Sequence, residues 1–328
     1  MMPSRVLLSL IVVAAAVLAG GAYVYAGHPG SVRILAAIFN AAVEERGVKV
    51  QNDIAYGTGS RQKLDVYEPL SAAGADGKAA PQDGPIAIFL YGGSWQQGER
   101  AIYEFIGRAL AKKGVTTVIP DYRLYPEVKF PAFMDDAADA YAWVARTLAK
   151  RTDGTSRPIV LTGHSAGAHM AALLTFDANY LSRRGKDIPT PAVLIGLAGP
   201  YAFDPTTWPS TKDVFADVKN PDTARPIAYA KRGGPPTLLM HGTADDTAKI
   251  SNMRDLARTL KASGSTVQTL EFDKIGHLSI LTSIAKPLRG WAPTLQAMIE
   301  FMMRHAALPA EAPSKTSSPG TRAVLPVP

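Results

Sequence analysis

A serine, a pair of aspartates and a histidine, each just beyond an apolar run, are the residues of this chain whose types and spacing could do chemistry. The serine is Ser165, inside Gly163-His164-Ser165-Ala166-Gly167. The run at 158–162 ahead of it reads as a strand, and the segment at 169–176 behind it reads as a helix. In that context a G-x-S-x-G pattern is a nucleophile elbow, a sharp strand-to-helix turn that lifts the serine to the top of a sheet. The flanking glycines are needed because a side chain at either position would collide with the neighbouring strand or helix. The following helix aims its N-terminal amides at the serine, where an oxyanion would form.

A serine hydroxyl attacks only when a base takes its proton and an acid orients that base. Behind a working elbow these partners follow in the order serine, acid, histidine, each at the carboxyl end of a later strand. The apolar run at 236–240 delivers His241-Gly242-Thr243-Ala244-Asp245-Asp246, and the run at 267–272 precedes Gly276-His277. Asp245 and His277 are 32 residues apart, room for one crossover helix and one strand. Residues 251–262 fill the helix slot, with Met253, Leu256, Ala257 and Leu260 at helical spacing. A triad of Ser165, Asp245 and His277 is the resulting expectation, with Asp246 the rival acid. His164 is read as a packing residue, since neighbouring side chains point apart in a tight turn. His241 is expected to order the acid loop. His28, His169 and His305 are read as surface or packing histidines. Six histidines, no cysteine and no H-x-x-x-H spacing give no support for a metal site.

An oxyanion needs a second source of backbone donors. The apolar run at 86–90 leads straight into Tyr91-Gly92-Gly93-Ser94-Trp95, and paired glycines let a backbone present its amides to a ligand. The amides of Gly93 and Ser94, completed by that of Ala166, are the expected oxyanion hole.

Five segments in order, Tyr91 to Trp95, Asp121 to Glu127, Phe130 to Ala132, Gly163 to Gly167 and His241 to Asp245, resemble the α/β-hydrolase superfamily. Within it the chain resembles bacterial carboxylesterases related to hormone-sensitive lipase and to the feruloyl-esterase and arylformamidase group. The similarity runs from about residue 60 to residue 305. It implies an α/β-hydrolase fold: a mostly parallel eight-stranded sheet with helices on both faces. It also implies hydrolysis of a small-molecule ester through an acyl-enzyme intermediate, with no cofactor. In such enzymes the first aspartate of H-G-x-x-D is the acid, which favours Asp245 over Asp246. The family usually carries histidine where Tyr91 stands, a departure in the oxyanion loop. Arg123 is expected to pair with Asp136 and not with substrate. An amide-cleaving relative, an arylformamidase or a peptidase of the prolyl-oligopeptidase type, is the alternative activity. The peptidase is disfavoured because the chain is too short for the extra propeller domain. A tethered scaffold without catalysis is a third reading, opposed by the intact triad.

The organisation agrees. Strand patterns at 86–91, 116–121 and 158–162 alternate with helical patterns near 100–113 and 133–150, the form of a parallel sheet covered on both faces. On the second helix Ala138, Tyr141, Ala142, Ala145 and Leu148 make the packing stripe. Segment 200–235, with Phe203, Trp208, Phe215 and six prolines, is expected to form a short cap supplying apolar substrate contacts. The catalytic domain is placed at 28–307, about 280 residues.

Arg5 is followed by 21 uncharged residues, Val6 to Ala26, enough to cross a bilayer and long for a signal-peptide core. Residues 1–27 are therefore read as a membrane anchor that exports the catalytic domain to the periplasmic side; secretion after signal cleavage at Ala22 or Ala26 is the alternative. The tail at 308–328, rich in proline and small polar residues, is expected to be disordered. A net charge of +7 without a basic run interleaved with aromatics gives a basic surface and no nucleic-acid partner.

Overall fold

The computed structural model describes residue 40 and residues 47–70, 84–151 and 155–306. The apolar run at 6–26, the domain boundaries near 27 and 307, His28 and the proline-rich tail lie outside the described residues. Among the described residues no helix is long and apolar enough to cross a membrane.

Eight strands form one sheet: β1 (Val48–Ala55), β2 (Lys63–Pro69), β3 (Ile86–Leu90), β4 (Thr116–Pro120), β5 (Ile159–His164), β6 (Val193–Leu197), β7 (Thr237–Gly242) and β8 (Val267–Phe272). Their order is β1-β2-β4-β3-β5-β6-β7-β8. β2 pairs antiparallel with β1 and β4, and all other pairs are parallel, as the resemblance implied. Every residue of β3 to β7 is buried, which is why these strands read as unbroken apolar runs rather than alternating ones.

The helices are α1 (Glu104–Ala111), α2 (Ala132–Val144), α3 (Ala166–Phe176), α4 (Asn179–Ser182), α5 (Pro226–Ala230), α6 (Ser251–Ala262), α7 (Ser279–Thr282) and α8 (Thr294–His305). α1 and α8 touch each other on one face of the sheet; α2, α3, α5 and α6 form a contiguous row on the other. The helix expected over 133–150 ends at Val144, and its last turn, Ala145–Ala149, widens into π geometry. α3 is buried on nearly all sides, because it is wedged between the sheet and its neighbours α2 and α5.

The parallel strands all end at one edge, so the loops after β3, β5, β7 and β8 open side by side. β5 runs two residues further than expected, to His164, and β7 runs on to Gly242. The chemistry-bearing residues therefore start where the sheet stops. Residues 200–211 of the expected cap lie at this edge beside Ser165, whereas α5 packs among the helices, and one expected cap contact is not one. Phe215 is fully buried against Trp95, Phe130, Phe133 and His169, with ring centroids 4.9–6.3 Å apart. The amide of Phe130 donates to the Val214 carbonyl at 3.0 Å and pulls that turn down into the core.

Candidate active site

Ser165 sits at the elbow between β5 and α3 with φ 54°, a left-handed conformation that costs a non-glycine residue about 1–3 kcal/mol. Neighbouring contacts hold it there. The Ser165 amide donates to the Leu197 carbonyl at 2.9 Å, and the His169 amide closes the first helical turn on the Ser165 carbonyl at 3.0 Å. A Cβ on Gly167 would overlap the carbonyl oxygens of Leu90 and Tyr91, and one on Gly163 would overlap the Gly167 backbone. Both glycines of the pattern are thus close-approach positions between α3, β3 and β5.

The three expected triad residues are brought together. The Ser165 hydroxyl lies 2.9 Å from His277 Nε2, and His277 Nδ1 lies 2.8 Å from Asp245 Oδ2. The Asp245 side chain is wholly shielded from solvent, whereas Asp246 is exposed and meets the Thr247 hydroxyl at 3.4 Å. Asp245 Oδ1 accepts the amides of Thr247 and Ala248, both at 2.9 Å, and Oδ2 also faces His241 Nε2 at 3.1 Å. Burial by itself raises the Asp245 carboxyl. The bonds from His241, His277 and Ala248 outweigh burial and hold it well below the usual carboxylate range. It is an ionised acceptor held by the Thr247 and Ala248 amides and by His277, with His241 Nε2 close by. His241 also donates to the Ala248 carbonyl at 2.8 Å, so it spans the acid loop as expected.

The loop after β3 has three consecutive residues at positive φ, Gly93 (132°), Ser94 (54°) and Trp95 (60°). Its turn is closed by the amides of Gln96 and Gln97 on the Gly93 carbonyl, at 3.0 and 3.1 Å. A trans peptide points its N–H opposite its C=O, so the Ser94 amide faces away from that turn. Ser94 and Ala166 flank Ser165 in a cleft of about 130 Å³ whose walls are Trp95, Phe203, Trp208 and Asn252; Gly93 is not among the lining residues. Ser94 and Ala166 thus stand beside Ser165 at the cleft, and Gly93 supplies the bend before them.

Tyr91 earns its place by reach. Its hydroxyl donates to Asp121 Oδ1 at 2.7 Å and accepts from Arg61 Nη2 at 2.9 Å, and its ring stacks on Tyr103 and Tyr122 at 5.2 and 4.6 Å. Burial holds the phenol protonated. Arg123 grips Asp136 through bonds of 2.7–3.1 Å, a support for the loop after β4, as expected.

Two site features were not legible in the sequence. His164, read as a packing residue pointing away, instead places Nε2 2.8 Å from the His277 carbonyl and its ring 4.7 Å from the His277 ring. Asn252, buried on α6, accepts the amides of Ala202 and Phe203 at 2.9 and 3.0 Å and so fixes the wall of the cleft. His169 is buried against Trp95 and bonds the Ala224 carbonyl at 2.7 Å, and His305 packs on Phe301; neither reaches the triad.

Comparison with known proteins places this geometry. Residues 87–219 match the family model described as alpha/beta hydrolase fold. The esterase LipC of Mycobacterium tuberculosis is 31% identical over 284 residues, 80% of this chain and 66% of that protein. The probable isoprenylcysteine alpha-carbonyl methylesterase ICME of Oryza sativa subsp. japonica is 27% identical over 262 residues, 74% of this chain and 61% of that one. The chain thus spans under two thirds of the length of these curated relatives. Among solved structures, an inhibited esterase B of Lactobacillus rhamnosis superposes with a TM-score of 0.68 at 19% identity, covering 88% of this chain and 97% of that one. With its sheet order, its elbow and these likenesses, the chain has the α/β-hydrolase fold.

Proposed function

We propose that this protein is a serine carboxylesterase that cleaves small-molecule esters through an acyl-enzyme intermediate. The observation that carries the reading is the unbroken line from Asp245 through His277 to Ser165, of 2.8 and 2.9 Å, ending beside a cleft that Ser94 and Ala166 line. His277 Nε2 takes the Ser165 proton as Oγ attacks the carbonyl carbon. Asp245 fixes the imidazole with its proton on Nδ1 and stabilises the imidazolium. The developing oxyanion is met by the amides of Ser94 and Ala166, with Gly93 the remaining candidate; each such donor contributes about 3 kcal/mol. His277 then returns the proton to the departing alcohol, and water releases the acyl group by the same route. The esterase names of the curated relatives support the choice of bond.

The test is direct. A fluorophosphonate probe labels Ser165, and Ser165→Ala loses both labelling and turnover of a p-nitrophenyl ester, by roughly 10⁴-fold or more, while the fold persists. Unchanged turnover in that variant would refute the proposal. A panel of alkyl esters, feruloyl esters and formyl-aryl amides separates ester from amide cleavage.

The reading extends to the N-terminus: residues 6–26 tether the catalytic domain to a membrane on its exported side. The support is sequence alone, 21 residues without a charge. Full-length chain should sediment with membranes and a chain lacking residues 1–27 should not; recovery of both in the soluble fraction sinks the tether.

A further inference from the structure

The residue next to the nucleophile has contacts that the triad does not account for. His164 is the last residue of β5 and 2% exposed, and its imidazole is wedged between two loops of the site. On one side Nε2 meets the His277 carbonyl at 2.8 Å, with the two rings 4.7 Å apart at 48°. On the other, Gly92 of the oxyanion loop lies so close that a Cβ there would stand 3.0 Å from His164 Nδ1 and from Ser165 Cβ. Resting on the esterase reading, we propose that His164 is a positioning residue for the general base. Its neutral imidazole donates Nε2–H to the main-chain carbonyl of His277 and spaces the base loop from the oxyanion loop.

The chemistry supports this assignment. A carbonyl accepts only, so the bond requires the proton on Nε2. Burial, then the neighbouring His277, pushes the His164 imidazole down to about 3, so it stays uncharged when His277 takes the serine proton. No like charge then faces the imidazolium across 4.7 Å. A mispositioned base loses rate without losing substrate, since His164 does not line the cleft.

Three variants test the role: His164→Gln, whose amide nitrogen reaches the Nε2 position; His164→Asn, one carbon too short; and His164→Leu, with no donor. With p-nitrophenyl butyrate, the glutamine variant should keep kcat within about threefold of the parent, whereas asparagine and leucine lose about 10- to 100-fold in kcat with KM changed less than about twofold. Equal kcat in the glutamine and asparagine variants overturns the proposal, even if the leucine variant does not fold. A parent chain that neither turns over the ester nor labels at Ser165 sinks the esterase reading instead; an active parent with indifferent variants sinks only the role of His164.

Discussion

The loops that hold the triad and the segment that walls the cleft lie over the same sheet edge, yet they are held by different forces. Around Ser165 the backbone is pinned by close approach. Gly163 and Gly167 admit no Cβ, and strand residues on both sides are fully buried. The wall at 200–211, unlike the buried Phe215 beyond it, is stitched by side chains reaching back to backbone. Asn252 holds the amides of Ala202 and Phe203, Arg225 Nη2 holds the Ala202 carbonyl at 2.6 Å, and Gln96 holds the Ser210 carbonyl at 2.8 Å. Packing leaves one arrangement available, whereas single hydrogen bonds can be exchanged one at a time. The machinery is therefore specified by the sheet, and the wall is open to variation without disturbing it.

The largest expected effect breaks the machinery alone. Asp245→Asn, which keeps the shape but alters the proton pattern around His277, should lower kcat about 10⁴-fold, while Asp246→Asn stays near the parent value. A large loss in the second variant would move the acid. Steady-state kinetics on the two decides it.

Next comes pH, which touches both regions. His164 in the machinery and His169 under the wall are buried, and burial lowers them to about 3 and about 4 from 6.5. Between those values and 6.5 the unfolded chain binds more protons than the folded one, so stability falls as the pH drops. Each group contributes a slope of about 1.4 kcal/mol per pH unit. Urea midpoints taken from pH 7 to 4.5 should show the combined slope, and His169→Gln should roughly halve it. A flat profile would mean that these imidazoles are not buried neutral.

Asn252→Ala should act on the wall. Two part-buried amides lose their acceptor at a cost of about 1 kcal/mol in stability, and KM rises severalfold with kcat retained. A fall in kcat alone would erase the distinction between the two regions. The smallest change is expected from Trp208→Ala, since this side chain is 46% exposed at the cleft. Loss of about 1 kcal/mol of apolar contact raises KM for bulky esters about fivefold and leaves that for acetate esters unchanged.

The same contrast explains what the sequence disclosed. Strands β3, β4, β5 and β7 were legible because burial on both faces demands unbroken apolar runs, and the elbow because only glycine tolerates the approach of Leu90. The fold family, the convergence of Ser165, Asp245 and His277, and the Arg123–Asp136 pair followed from such constraints together with the resemblance. Asn252 looked like any polar residue on an amphipathic helix, since a bond from a side chain to a distant backbone leaves no periodic trace. His164 packs as read, but its bond to the His277 carbonyl went unread because turn geometry predicts the direction of a Cβ, not where a long ring finds an acceptor. Phe215 was misread because an aromatic in an irregular segment carries no sign of which side it faces.

One further consequence follows from the place of His277. It comes from the loop after β8, a margin strand with one neighbour and no fully buried residue, whereas Ser165 rises from the innermost part of the sheet. Marginal elements detach before interior ones under stress. On warming, ester turnover should therefore fall before far-UV circular dichroism does, and return on cooling.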